Sequence, residues 1–116
     1  MSERDPAIPL RHMRDAARRA VKIAQPMSRP ELYAGRVETL ALTRLIEIIG
    51  EAARRVPDSL RDQQGEIAWR RIVGTRDPLI HGYDRVDLDI LWTIVHEQLP
   101  RLVTELDAVL RQLEEE

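Results

Sequence analysis

The chain is predicted to fold as an all-α, up-and-down bundle of four to five helices. Three observations carry that prediction. Apolar residues recur at helical spacing nearly throughout, and no stretch of strand length alternates apolar with polar. Proline or glycine falls where most of these periodic segments stop. The chain has no Phe, two Trp and two Tyr, so its core must be built from Leu, Ile, Val and Ala.

The first helix is expected from about Ile8 to Gln25, with Leu10, Met13, Ala17, Val21 and Ala24 on one stripe and Pro26 as its stop. Ser28-Arg29-Pro30-Glu31 has the form of a capping box with proline in the first turn. A long second helix should follow it, to about Val56, before Pro57. Leu40, Ala41, Leu42, Leu45, Ile46, Ile48, Ile49, Ala52 and Ala53 make that helix apolar over more than a narrow stripe. Such a helix is either central to the bundle or packs on a second subunit as well. Gly50 weakens it, and so invites a close neighbour there.

Residues 58–65 are polar and read as a short helix or loop. Glu66 to Val73, with Ile67, Trp69, Ile72 and Val73, reads as another short helix stopped by Gly74. Asp87 can cap a last long helix to about Leu113, its buried side marked by Leu88, Leu91, Trp92, Val95, Leu99, Leu102, Leu106, Val109 and Leu113. Pro100 lies inside that run and should kink it.

At 116 residues the chain is read as one domain, residues 1–116. The absence of cysteine excludes disulfides and thiolate zinc sites. No apolar run approaches the roughly 20 residues of a membrane span, and the start Met-Ser-Glu-Arg-Asp lacks a signal-peptide core. The expectation is a cytoplasmic protein. A net charge of −2 argues against generic electrostatic binding of nucleic acid. The charge is uneven, however. Residues 1–56 hold eleven Arg or Lys against seven Asp or Glu; residues 57–116 hold seven against thirteen. That is either two solvated helical surfaces of opposite bias, or a basic face for RNA and an acidic face for a protein partner.

The chemistry concentrates in Arg76-Asp77-Pro78-Leu79-Ile80-His81-Gly82-Tyr83. A guanidinium fits phosphate oxygens bidentately, and an imidazole moves protons near neutral pH. Together they suit phosphodiester cleavage without a metal. Thr75 or Asp77 can cap a helix there and Pro78 is tolerated in its first turn, so the motif would sit at a helix N-terminus that favours an anion. In a regular helix Arg76 and His81 would lie about 140° apart. They converge only if Arg76 lies in the preceding turn, or if the pair meets its copy across a dimer. The structural alternative pairs Arg76 with Asp77 or Asp84 and uses His81 to cap a neighbouring helix.

His12 and His96 have no partner at metal-ligand spacing and read as surface residues. Asp84, Asp87 and Asp89 lack the calcium-loop pattern and read as caps or solvated groups. No metal or cofactor is expected. Neither a Gly-rich phosphate loop nor a serine in a nucleophile context is present.

Ile49-Gly50-Glu51-Ala52-Ala53, then Trp69, Gly74-Thr75-Arg76-Asp77, Ile80-His81-Gly82-Tyr83, Val86-Asp87, Trp92 and Leu99-Pro100 occur in an order that resembles the HepT-like proteins of the HEPN superfamily, over roughly residues 8 to 112. The resemblance implies an all-α bundle of HEPN type that forms a two-fold homodimer, with two Arg/His motifs facing one cleft. It implies a metal-independent endoribonuclease acting on RNA as the toxin of a toxin–antitoxin pair. Arg76 and His81 would be catalytic and Asp77 supporting. The partner would be an MntA-like nucleotidyltransferase antitoxin that adenylylates Tyr83. One departure is visible: close relatives often carry Asn where this chain has Asp77. The rival expectation is a non-catalytic helical module that docks a nucleotidyltransferase or RNA.

Overall fold

The structure, a computed structural model, describes residues 5–75, 79–80 and 85–115. The described residues form five helical rods, and the expected all-α bundle is what they build. Helix α1 spans Ala7–Ala24, and a 3-10 turn, Arg29–Glu31, follows it. Helix α2 spans Val37–Arg54, α3 Asp58–Gln63 and α4 Trp69–Val73. The last rod is continuous: α5 (Leu88–Thr93), a π turn (Ile94–Gln98) and α6 (Leu99–Glu115). Its 28 residues span about 42 Å at helical rise, which accounts for the 45 Å long axis of the molecule. Among the described residues no strand forms; one isolated antiparallel bridge joins Ile80 and Val86.

Helix α1 begins where Asp5 Oδ1 accepts the Ala7 N–H at 3.0 Å. It tolerates Pro9 because a first-turn residue has no intrahelical donor to lose. Its buried face is Leu10 and Met13 flanked by Ala7, Ala16, Ala17, Ala20 and Ala24. The small alanines let neighbours approach closely, and α1 packs against both α2 and α6. The central helix is therefore α1. The breadth of α2's apolar surface serves two neighbours of its own, α1 and α4.

The sequence reading places the start of the second helix too early. The Ser28–Glu31 box is present, with the Ser28 N–H donating to Glu31 Oε1 at 2.7 Å, but it caps only the 3-10 turn. Leu32 then leaves helical space at φ −89°, ψ 91° and buries its side chain. Helix α2 starts afresh at Val37. Gly50 does what its placement suggested: a Cβ there would stand 3.4 Å from the Ile72 carbonyl oxygen of α4 and 3.7 Å from that of Val73. The bare backbone of α2 is the seat of α4.

Pro100 disturbs the last rod upstream of itself. Proline cannot donate back along the helix, and the ladder shifts register just before it. The Leu99 N–H donates to the Ile94 carbonyl, five residues back, which is the π pattern.

Candidate functional site

The four expected site residues, Arg76, Asp77, His81 and Tyr83, lie outside the described residues. The structure instead fixes what flanks them. Helix α4 ends at Val73, and the Gly74 N–H donates to the Arg70 carbonyl at 3.0 Å. Gly74 stops the helix at φ −89°, without a left-handed turn. The Thr75 hydroxyl donates backwards, to the Arg71 carbonyl at 2.6 Å. The Thr75 carbonyl accepts the Leu79 N–H at 3.2 Å.

Leu79 is completely buried and is the hydrophobic anchor between the two halves of the motif. Its carbonyl accepts the Asp87 N–H at 2.8 Å, and Ile80 bridges to Val86. Positions 79–80 and 86–87 are thus held side by side. Asp87 then caps the last rod as expected, its Oδ1 accepting the Ile90 N–H at 3.1 Å. Asp89 forms a 2.6 Å ion pair with Arg29, tying the 3-10 turn to α5. Among the described residues no group of His, Asp and Glu is arranged to hold a metal ion.

Two grooves border this segment. One, of about 390 Å³, has an apolar floor that includes Ile46, Ile49, Ile72 and Leu102, and carries Glu66, Glu97 and Glu105 beside Arg71 and Arg101. The other, of about 340 Å³, lies between the end of α4 and the last rod and is lined by Arg70, Arg71, Gly74, Thr75, Ile90, Ile94 and Gln98. Sequence reasoning singled out neither arginine. Their only signal was position, directly upstream of Gly74-Thr75.

Of the two other histidines, His12 is exposed as expected and His96 is not. The His96 ring packs against Trp92, tilted by 37° with centroids 3.8 Å apart, and its Nε2 is cut off from solvent with no hydrogen-bond partner among the described residues. Among the described residues the resolved pKa shifts cluster around the 3-10 turn. Backbone and hydroxyl hydrogen bonds from Ser28 hold the Glu31 carboxyl below its usual range. A 2.9 Å hydrogen bond from the Arg36 Nε lowers Glu38 and raises Arg36 in turn.

Comparison with known proteins identifies the family. The family model "Ribonuclease HepT-like" matches residues 13–109, a segment that includes the motif and both grooves. A protein named "Putative RNase" from Methanocaldococcus jannaschii is 31% identical over 109 residues, covering 94% of this chain and 100% of the relative. Another of that name from Caldanaerobacter subterraneus subsp. tengcongensis is 36% identical over 76 residues, 66% of this chain and 68% of the relative. The "Probable ribonuclease HepT" of Thermococcus cleftensis is 44% identical over 62 residues, 53% of this chain and 56% of the relative. No solved structure matches the chain. With the family model spanning the motif, the bundle and its flanks, the chain belongs to the HepT-like ribonuclease family.

Proposed function

We propose that this protein is a metal-independent endoribonuclease, the toxin of a toxin–antitoxin pair, with Arg76 and His81 as its catalytic residues. The observation that carries the reading is the family match over residues 13–109, which encloses the Arg76-x-x-x-x-His81-x-Tyr83 string. The anchoring of Leu79, and its pairing with Asp87, supports it, because a site that orients reacting groups needs rigid flanks.

In the proposed reaction a ribose 2′-oxygen attacks the adjacent phosphorus. His81 takes the 2′-OH proton as general base, a role typically worth about 10²–10⁴-fold. The P–O5′ bond breaks, and the leaving 5′-oxygen takes a proton from a general acid. The products are a 2′,3′-cyclic phosphate and a 5′-OH end. Arg76 binds the phosphate and stabilises the charge that develops on its oxygens. Asp77 supports the turn.

The active form in this reading is a two-fold homodimer, so that base and acid come from different copies of His81. Val37 and Leu40, 76% and 58% exposed on neighbouring turns of α2, support it as apolar surface the single chain leaves uncovered. The antitoxin is an MntA-like nucleotidyltransferase that adenylylates Tyr83, adding negative charge and bulk where the RNA phosphate must sit. The protein acts in the cytoplasm. No helix among the described residues is long and apolar enough to cross a membrane.

The test is incubation of the purified protein with total RNA in EDTA, followed by analysis of the fragment ends. Cyclic phosphate and 5′-hydroxyl ends are expected. An intact RNA pool would instead favour the non-catalytic docking module, and loss of cleavage with EDTA would point to a metal. Co-expression with the nucleotidyltransferase should raise the mass of the peptide carrying Tyr83 by whole adenylate units. Adduct on Tyr33, which is 56% exposed, would refute that part.

A further inference from the structure

We propose that the groove between the end of α4 and the last rod carries the RNA strand into the motif, with Arg70 and Arg71 holding its phosphates and Gln98 facing a base. The inference rests on the ribonuclease reading and names how that substrate is gripped.

The first argument is charge. Arg14 and Arg18 pair with Asp107, Arg29 with Asp89, Arg36 with Glu38, Arg44 with Glu51, Arg61 with Asp58 and Arg101 with Glu105. Arg70 and Arg71 are exposed and, like Arg19, Arg54, Arg55 and Arg111, have no carboxylate partner among the described residues; of these six only Arg70 and Arg71 line this groove. A guanidinium left unpaired beside a groove is available to a phosphate, which it matches bidentately. The second argument is direction. The adjoining groove, which shares Arg71, Thr75, Ile94 and Gln98 with this one, carries Glu66, Glu97 and Glu105, which repel a phosphate backbone; among the described residues no carboxylate lines the groove that holds both Arg70 and Arg71. The third is continuity. Thr75 lines the groove and directly precedes Arg76 in the chain, so the groove ends at the start of the motif segment.

Gln98 comes from the opposite wall, on the π turn, and Ile94 of the same turn gives the groove its apolar surface. An amide reads base edges, whereas interactions with phosphate carry no sequence information. The two walls therefore divide the work: α4 supplies affinity and the π turn supplies preference.

The experiment measures binding of a short single-stranded RNA, 2′-O-methylated throughout so that it cannot be cleaved, across a series of salt concentrations. Wild type is compared with the double variant Arg70→Ala/Arg71→Ala, with Gln98→Ala, and with Arg111→Ala, which removes a charge outside the groove. The double variant should bind roughly tenfold more weakly per arginine at moderate salt. Its slope of log affinity against log salt should flatten by about 0.7 for each phosphate that is no longer neutralised. With cleavable RNA its KM should rise while kcat at saturation stays within about twofold, and its melting temperature should match wild type. Gln98→Ala should keep the salt slope and change the order of affinities among homopolymeric RNAs.

Equal affinity and slope for the double variant and Arg111→Ala would overturn the proposal, as would a wild type that binds no RNA. A double variant that keeps RNA affinity but loses the nucleotidyltransferase would show a protein-docking face instead. Wild-type binding without cleavage would defeat the ribonuclease reading and leave the groove as a binding site.

Discussion

Two regions of this molecule treat charge and packing in opposite ways. The bundle of α1, α2 and α6 is closely packed and tied across its helices. Leu10, Leu42 and Leu106 are fully buried at its centre, and Arg18 clamps Asp107 of α6 with two hydrogen bonds of 2.8 and 3.0 Å. The five-residue α4 rests on the bare backbone of Gly50, and its two arginines line a groove with no carboxylate among the described residues. The first region holds the buried core and so sets stability. The second leaves Arg70 and Arg71, a few residues before the motif in the chain, without a carboxylate partner among the described residues.

The largest effect that would sharpen this contrast lies in the core. Leu106→Ala should cost about 2–5 kcal/mol, because a fully buried leucine loses both its transfer free energy and its packing. Chemical denaturation reads it, and enough protein should stay folded at low temperature to retain near-normal RNA affinity. Loss of RNA binding in the folded fraction would blur the two regions into one.

Gly50→Val tests the seam between them. The Cβ alone would reach van der Waals distance of the Ile72 carbonyl, and the added methyl groups must push α4 away. The expected cost is about 1–3 kcal/mol, as for an overpacked core site. Cleavage should fall further than stability alone explains, since α4 carries Arg70, Arg71 and the approach to Arg76. Unchanged cleavage would mean that the position of α4 does not matter to the site.

The smallest effect is at the 3-10 turn. The hydrogen bonds from Ser28 favour the ionised Glu31, so its contribution is full above the usual carboxylate value of 4.5 and is lost as the pH falls through its lowered pKa. The difference in melting temperature between wild type and Glu31→Gln should therefore be present at neutral pH and close on acidification below 4.5. A difference that held constant down to strongly acid pH would contradict this. RNA cleavage should not respond to the substitution.

The sequence makes some of this legible and hides the rest for physical reasons. The stripes of α1 and of the last rod are plain because each is a long, one-sided repeat with a stop or a cap at its end. The capping box at Ser28 is equally plain and still misleads. A box reports that a helical turn begins, not that it continues, and burial of Leu32 ends this one within three residues. The central place of α1 is obscured because alanine is weakly apolar, whereas its small size is what admits two neighbours. Pro100 announces a disturbance, but its relief as a π turn upstream depends on the packing of the whole rod. At the site, residue chemistry marks Arg76 and His81. The Leu79–Asp87 hydrogen bond and the Ile80–Val86 bridge join residues whose pairing no local pattern encodes. The buried Thr39 hydroxyl and the Nε2 of His96, neither of which has a partner among the described residues, likewise have no sequence signature.

The most direct test of the account is RNA cleavage by purified His81→Ala in EDTA, set beside wild type, with circular dichroism on both proteins. The account predicts cleavage by wild type. It predicts a loss of at least about 10²-fold in the variant, the lower bound for a general acid–base group, with an unchanged helical spectrum. Cleavage by folded His81→Ala at the wild-type rate would contradict it.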